Sequence, residues 1–234
     1  MRKHISALTC LLASLALLVA LAVVPALAGE KDEAILKVDE ASVVVQKMMG
    51  AEDKGVARDL LKKAKAVAIF PSVFKAGFII GGQGGTGVIL ARAKNGSWSG
   101  PAFYTMAGAS VGLQIGASST DFMLMIMSSN GLKGILQGHA KLGGDATVAA
   151  GPVGRSATGG STFAGKDSDI YSYSMSAGAF AGVSLDGAGL EFDKKRTDAF
   201  YGKTYTAKQI LVEHKAPVPT AAKKLIQKLD AYAK

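Results

Sequence analysis

Cysteine is nearly absent from this 234-residue chain: Cys10 is the only one, so no intrachain disulfide framework exists. Aromatic residues make up 7%, with one tryptophan, and prolines number six. Histidines number three, and two of them, His139 and His214, lie beyond residue 28. Isolated histidines without thiols cannot assemble a structural metal site by ligand count, and no metal or other cofactor is expected. No long block of one charge occurs, and 49% of the chain is hydrophobic, so disorder is excluded as the main state. Glycine is plentiful, at 29 residues, but shows no three-residue period, which excludes collagen. Beyond residue 28 no apolar run is long enough, and free enough of glycine and polar residues, for a transmembrane helix.

What is present begins with a leader. Arg2 and Lys3 precede a run from Leu8 to Leu27 that is mostly Leu, Ala and Val. Pro25 and the Ala26-Leu27-Ala28 triplet follow the pattern of a cleavage site, so residues 1–28 are expected to be a secretory signal peptide. A periplasmic or secreted protein follows, peripheral to a membrane at most. Its single unit would span residues 29–234. Removing the first 28 of 234 residues leaves 206 and takes away Arg2 and Lys3, so the net charge falls from +9 to +7. A positive balance favours anionic surfaces, and equally serves plain solubility.

Three zones follow. Residues 30–65 read as helical, with Ile35, Val38, Ala41, Val45, Met48 and Met49 at three- and four-residue steps. Gly50 is the expected C-cap, and a second helix covers about 57–65. Residues 66–193 hold 25 of the 29 glycines and read as strand-rich. Separate short strands are expected at 66–70, 78–80 and 88–91, with a turn at Asn95-Gly96. Val111, Leu113 and Ile115 alternate with Gly112, Gln114 and Gly116. From Asp121 to Met127 both faces are apolar: Phe122, Leu124 and Ile126 on one, Met123, Met125 and Met127 on the other. Residues 194–234 return to helix, with Thr220 the expected cap of the last one. The order predicts an α+β fold. N-terminal helices precede a Gly-rich twisted antiparallel sheet or partly closed barrel, and a C-terminal helix follows.

Catalytic signals are weak. Gly82-Gln83-Gly84-Gly85-Thr86-Gly87 matches G-x-G-x-x-G, but Val88, Ile89 and Leu90 continue it as strand, where a dinucleotide site needs a helix. Gly-x-Ser-x-Gly is absent. Basic and aromatic residues occupy different zones, which argues against nucleic acid. The chain therefore reads as a binding protein and not an enzyme. Its expected contact residues are Arg58, Lys62, Lys63 and Lys65, with Phe74 and Lys75 beside them. Met123, Met125 and Met127 offer a soft apolar groove, or else a packed second face of the sheet.

The stretch from about Leu60 to Gly202 resembles the SYLF domain, also called the Ysc84 actin-binding domain. The carrying blocks are Ala64-Lys65-Ala66-Val67-Ala68-Ile69-Phe70-Pro71, the glycine-rich 81–87, and Gly96-Ser97-Trp98-Ser99-Gly100-Pro101. Further blocks are Gly112-Leu113-Gln114-Ile115-Gly116, Thr120-Asp121-Phe122, 149–155, Tyr171-Ser172-Tyr173-Ser174, 180–187 and Tyr201-Gly202. The resemblance implies a lipid-binding module of the exported bacterial branch, with phosphoinositides bound in eukaryotic relatives. The implied partner is anionic phospholipid or a membrane surface, with an envelope protein as the alternative. Actin is unexpected for an exported chain. Where the family commonly carries an Arg and a Lys around a Ser, this chain has Met175 and Ala177. If those charges touch head groups in relatives, this protein binds them more weakly or elsewhere. The main alternative is an envelope adaptor that binds another protein through its sheet.

Overall fold

A computed structural model describes residues 29–50, 55–152 and 168–234. The leader at 1–28 lies outside the described residues. The α+β expectation holds. Helix α1 (Glu30–Met49) and α2 (Gly55–Lys63) precede two very long strands, β1 (Ala66–Ala91) and β2 (Ala102–Ile126). Then come α3 (Ser129–Leu136), β3 (His139–Lys141), β4 (Val148–Ala150), β5 (Ile170–Ser176), β6 (Ala179–Gly182) and β7 (Gly189–Phe192). Helices α4 (Lys194–Tyr201), α5 (Ala207–Leu211) and α6 (Thr220–Tyr232) close the chain.

The three short strands expected within 66–91 are one. β1 pairs antiparallel with β2 from Ala66↔Ile126 to Ile89↔Ala102, with register shifts between Phe70 and Val73 and between Gly77 and Ile79. Glycines that read as strand breaks are places where one strand bends. Gly87 shows why. A Cβ there would lie 2.2 Å from the Ile69 carbonyl oxygen and 2.5 Å from the Phe70 ring. Only glycine lets the strand fold back onto its own beginning. The Arg92 N–H donates to the Lys65 carbonyl at 2.7 Å, joining the two ends of β1. Between them, residues 74–84 pair with 107–119 as a two-stranded ribbon.

The remaining strands attach to the two ends of β2. β7 pairs with Tyr104–Ala107 and β5 with Asp121–Ile126. The result is a curled seven-stranded sheet, a half-barrel. One pair, β4 with β5, is parallel, so the sheet is mixed.

Two cores lie on its two faces. The first joins Phe70, Tyr104, Phe122, Leu124 and Leu190 to Ile135 of α3 and Ile210 of α5. The second joins Val67, Ile69, Leu90, Phe103, Met123 and Met125 to α1, α2 and α6. A strand buried on both faces must be apolar on both, which is what 121–127 encodes. On α1 the buried stripe is Ala34, Val38, Ala41, Val44, Val45, Met48 and Met49. Ile35, expected within it, sits at its edge and is exposed. The acids of α1 meet cations of other helices: Asp39 pairs with Lys224 at 2.6 Å and Glu33 with Arg196 at 3.4 Å. Exposed pairs of this kind add little stability.

Two details differ from expectation. Helix α3 carries no clear sequence signal, because two of its eight residues are glycine. Its cap, the Ser128 hydroxyl, accepts from the Gly131 N–H at 2.9 Å. Thr220 is the first residue of α6, and Pro219 holds the N-cap position. Gly50 does cap α1, in right-handed conformation.

Candidate functional site

The residues expected to make contact do not form one patch. Arg58 turns inward. Its Nε donates to the Met49 carbonyl at 2.7 Å, and its guanidinium lies 5.5 Å from the Tyr232 ring centroid. It clamps α1, α2 and α6 together. Lys62 is exposed and pairs loosely with Asp59 at 3.7 Å. Lys63 is exposed. Lys65 donates to the Ser129 hydroxyl at 2.8 Å. Phe74 and Lys75 lie beyond the bulge at 70–73, at the base of the ribbon, and the alternation of the strand sends them to opposite faces.

The expectation of an open methionine groove is corrected, and the packed second face is what forms. Met123 and Met125 are fully buried in the second core beneath the helices, and Met127 is partly buried against it. The helices cover this face because leaving it in water would forfeit roughly 2 kcal/mol for each methionine.

An open site lies instead where the ribbon leaves the body. A groove of about 590 Å³ is lined by Lys47, Ser72, Ser119, Asp121, Met175 and Ala177, with Gly178. Two non-glycine residues here have positive φ: Ser72 at 51° and Ala177 at 48°. Ser72 is held by a hydrogen bond from its N–H to Asp121 Oδ1 at 2.8 Å. Ala177 and Gly178, the latter at φ 82°, form the two-residue turn between β5 and β6. Such left-handed positions in ordinary residues cost about 1 kcal/mol or more and cluster where a surface has a task.

Large apolar side chains are exposed on β1 and α1. Phe74 is 55% exposed and stands opposite Ser119. On α1, Leu36 is 58% exposed and Val43 is 38% exposed. Helical spacing puts Leu36, Glu40, Val43 and Lys47 on one face. A second groove, of about 340 Å³, connects Leu36 and Glu40 to Pro71 and Ser72. Lys47 has no ion-pair partner among the described residues.

Such a surface suits docking better than bond-making. It offers a shallow cleft with one free cation among its described lining residues, and exposed aromatic and aliphatic side chains on β1 and α1. Asp121 is already committed to Ser72, and among the described residues no cluster of three or more metal-binding side chains occurs. Sequence reasoning finds Phe74 but misses Leu36, Val43, Ser72 and Asp121. The signal is present in Pro71-Ser72, which interrupts an otherwise apolar strand.

The fold is a half-barrel clasped by helices, with a ribbon at its edge. The chain belongs to the family described as Las17-binding protein actin regulator, whose model, Ysc84, matches residues 107–232. LAS seventeen-binding protein 3 of Saccharomyces cerevisiae (strain YJM789) is 39% identical over 195 residues, covering 82% of this chain and 42% of that protein. Protein YSC84 of Saccharomyces cerevisiae (strain ATCC 204508 / S288c) is 39% identical over 199 residues, covering 84% and 42%. The human SH3 domain-containing YSC84-like protein 1 is 35% identical over 181 residues, covering 77% and 52%. The chain thus spans about half or less of the length of these curated relatives. No solved structure matches it.

These names correct the expected partners. The sequence reading points to phospholipid as the ligand and away from actin-related biology. One yeast relative is instead named as a LAS seventeen-binding protein, and the family is described as Las17-binding protein actin regulator.

Proposed function

We propose that this chain is a non-catalytic protein-interaction module. Its partner is of the class for which its relatives are named, a Las17-type actin-regulatory protein. The supporting observation is the set of large apolar side chains exposed on β1 and α1, Phe74, Leu36 and Val43, with Leu36 lining a groove that also takes in Ser72. Large apolar side chains exposed beside a cleft are what a protein partner buries, and aromatic anchors carry a disproportionate share of such energy. The second support is the naming of the family and of LAS seventeen-binding protein 3 for Las17 binding. We propose also that residues 1–28 are removed, consistent with α1 starting at Glu30 directly after the expected cleavage point. N-terminal sequencing of the mature protein beginning at Gly29 would bear that out.

The test is direct titration of residues 29–234 against immobilised Las17. Saturable binding is expected. Phe74→Ser combined with Leu36→Ser should weaken it at least about tenfold while leaving the thermal melt in place. No binding to the protein, together with binding to anionic vesicles, would overturn the reading.

A further inference from the structure

The two grooves share a wall and a residue. Helix α1 lines both, with Leu36 and Glu40 in the smaller and Lys47 in the larger. Ser72 of β1 lines both as well. Leu36, Glu40 and Lys47 recur at helical spacing on one face of α1, so the grooves follow one line along that helix and meet at Ser72. From Leu36 to Lys47 the helix rises about 16 Å. An extended chain covers that distance in about five residues.

Charge is matched at one end of this trench and unmatched at the other. In the smaller groove each charged lining residue has an opposite partner: Lys37 meets Glu40 at 2.6 Å, and Arg196 meets Glu33 at 3.4 Å. In the larger groove Asp121 accepts from the Ser72 N–H at 2.8 Å, and Met175 and Ala177 carry no charge. Lys47, which is exposed, has no ion-pair partner among the described residues. Between the two ends stands Ser72, held at φ 51° in the bulge between Phe70 and Val73. Its hydroxyl has no hydrogen-bond partner among the described residues. The trench therefore presents an exposed leucine, then a free hydroxyl, then a free ammonium.

Resting on the reading of a protein partner, we propose that the partner's docking element is one extended segment laid along this trench. An apolar side chain of the segment packs on Leu36, and a single carboxylate about five residues away meets Lys47. The Ser72 hydroxyl donates to a main-chain carbonyl between them. The apolar contact supplies the burial, and the ion pair fixes the register. One carboxylate is the matching charge. A polyacidic segment would find one free cation at Lys47 and like charge from Glu33 and Glu40 at the other end.

The test uses residues 29–234 and begins with binding of intact Las17. Overlapping peptides of about twelve residues, more than twice the span of the trench, are then drawn from the Las17 sequence and titrated by fluorescence anisotropy. At least one should bind saturably and carry an apolar residue about five positions from an acidic one. Lys47→Glu should weaken both that peptide and intact Las17 by about tenfold or more. Exchanging the acidic residue of the peptide for lysine should restore its binding to the Lys47→Glu chain. Ser72→Gly, which tolerates the left-handed backbone, should weaken binding several-fold. Lys63→Glu, an equal change of charge outside the trench, should leave binding unchanged. Thermal melts confirm that each variant folds. Intact Las17 that binds while no peptide does, equal effects of Lys47→Glu and Lys63→Glu, or a reversed peptide that fails to restore binding would each overturn the trench and leave the protein-partner reading in place. Failure of intact Las17 to bind at all would overturn both.

Discussion

The same two strands behave differently at their ends and in their middle. Where Ala66–Phe70 faces Phe122–Ile126, both surfaces of the ladder are buried. Large side chains such as Ile69, Phe70, Met123 and Leu124 fill the two cores. In the ribbon between residues 74 and 84, the ladder continues with similar pairing. There Phe74, Ala76, Gly82, Ala107, Ala109 and Ser119 are exposed. Backbone hydrogen bonding is common to both stretches, so it does not explain their difference. Stability comes from what the side chains cover, and these exposed ribbon positions cover little.

That contrast can be broken at the buried end first. Replacing Met123 and Met125 together by serine removes two buried side chains and leaves two hydroxyls without partners. A loss of more than about 4 kcal/mol is expected, enough to prevent cooperative folding in a urea titration. A folded double variant would mean that this face is not the packed layer described. Glycine offers the next comparison. Gly87→Ala drives a Cβ into the Ile69 carbonyl and should cost about 3 kcal/mol. Gly82→Ala, in the ribbon with nothing within 4 Å of the added methyl group, should stay within about 0.5 kcal/mol. Equal losses at the two sites would remove the distinction between body and ribbon. Ala177→Gly, which relieves a positive φ, should raise stability by about 1 kcal/mol in thermal melts. Smallest of all is Phe74→Ser. It should move stability by less than about 0.5 kcal/mol while reducing partner binding, because its exposed ring supports no core.

Much of the fold is legible in the sequence. Periodicity places the zones, because α1 and α6 bury regular stripes and because Asp121–Met127 carries apolar side chains on both faces. The length of β1 is not legible. Pro71 and the glycines 81–87 are ordinary punctuation in a linear reading. Their role as bends depends on Gly87 meeting Ile69, a contact between distant parts of one strand. The site is half legible. Phe74 stands out as an aromatic beside a lysine, but its neighbours arrive from α1 and from the β5–β6 turn. Arg58 resembles surface charge because nothing local indicates that Met49 and Tyr232 will receive it. Basic residues on an amphipathic helix face either water or a neighbouring helix end, and only the packing decides.

The hydrogen bond from Arg92 to Lys65 sets an order of events for the chain. The turn at 92–101 is the natural starting point of the β1–β2 hairpin, and each successive rung closes a longer loop, out to Ala66↔Ile126. The second core needs both ends of that ladder before α1 and α6 have a surface to dock on. Helix docking is therefore expected to follow the final rungs, and stopped-flow refolding should be slowed more by Gly87→Ala in the ladder than by a helix-surface substitution such as Lys223→Ala.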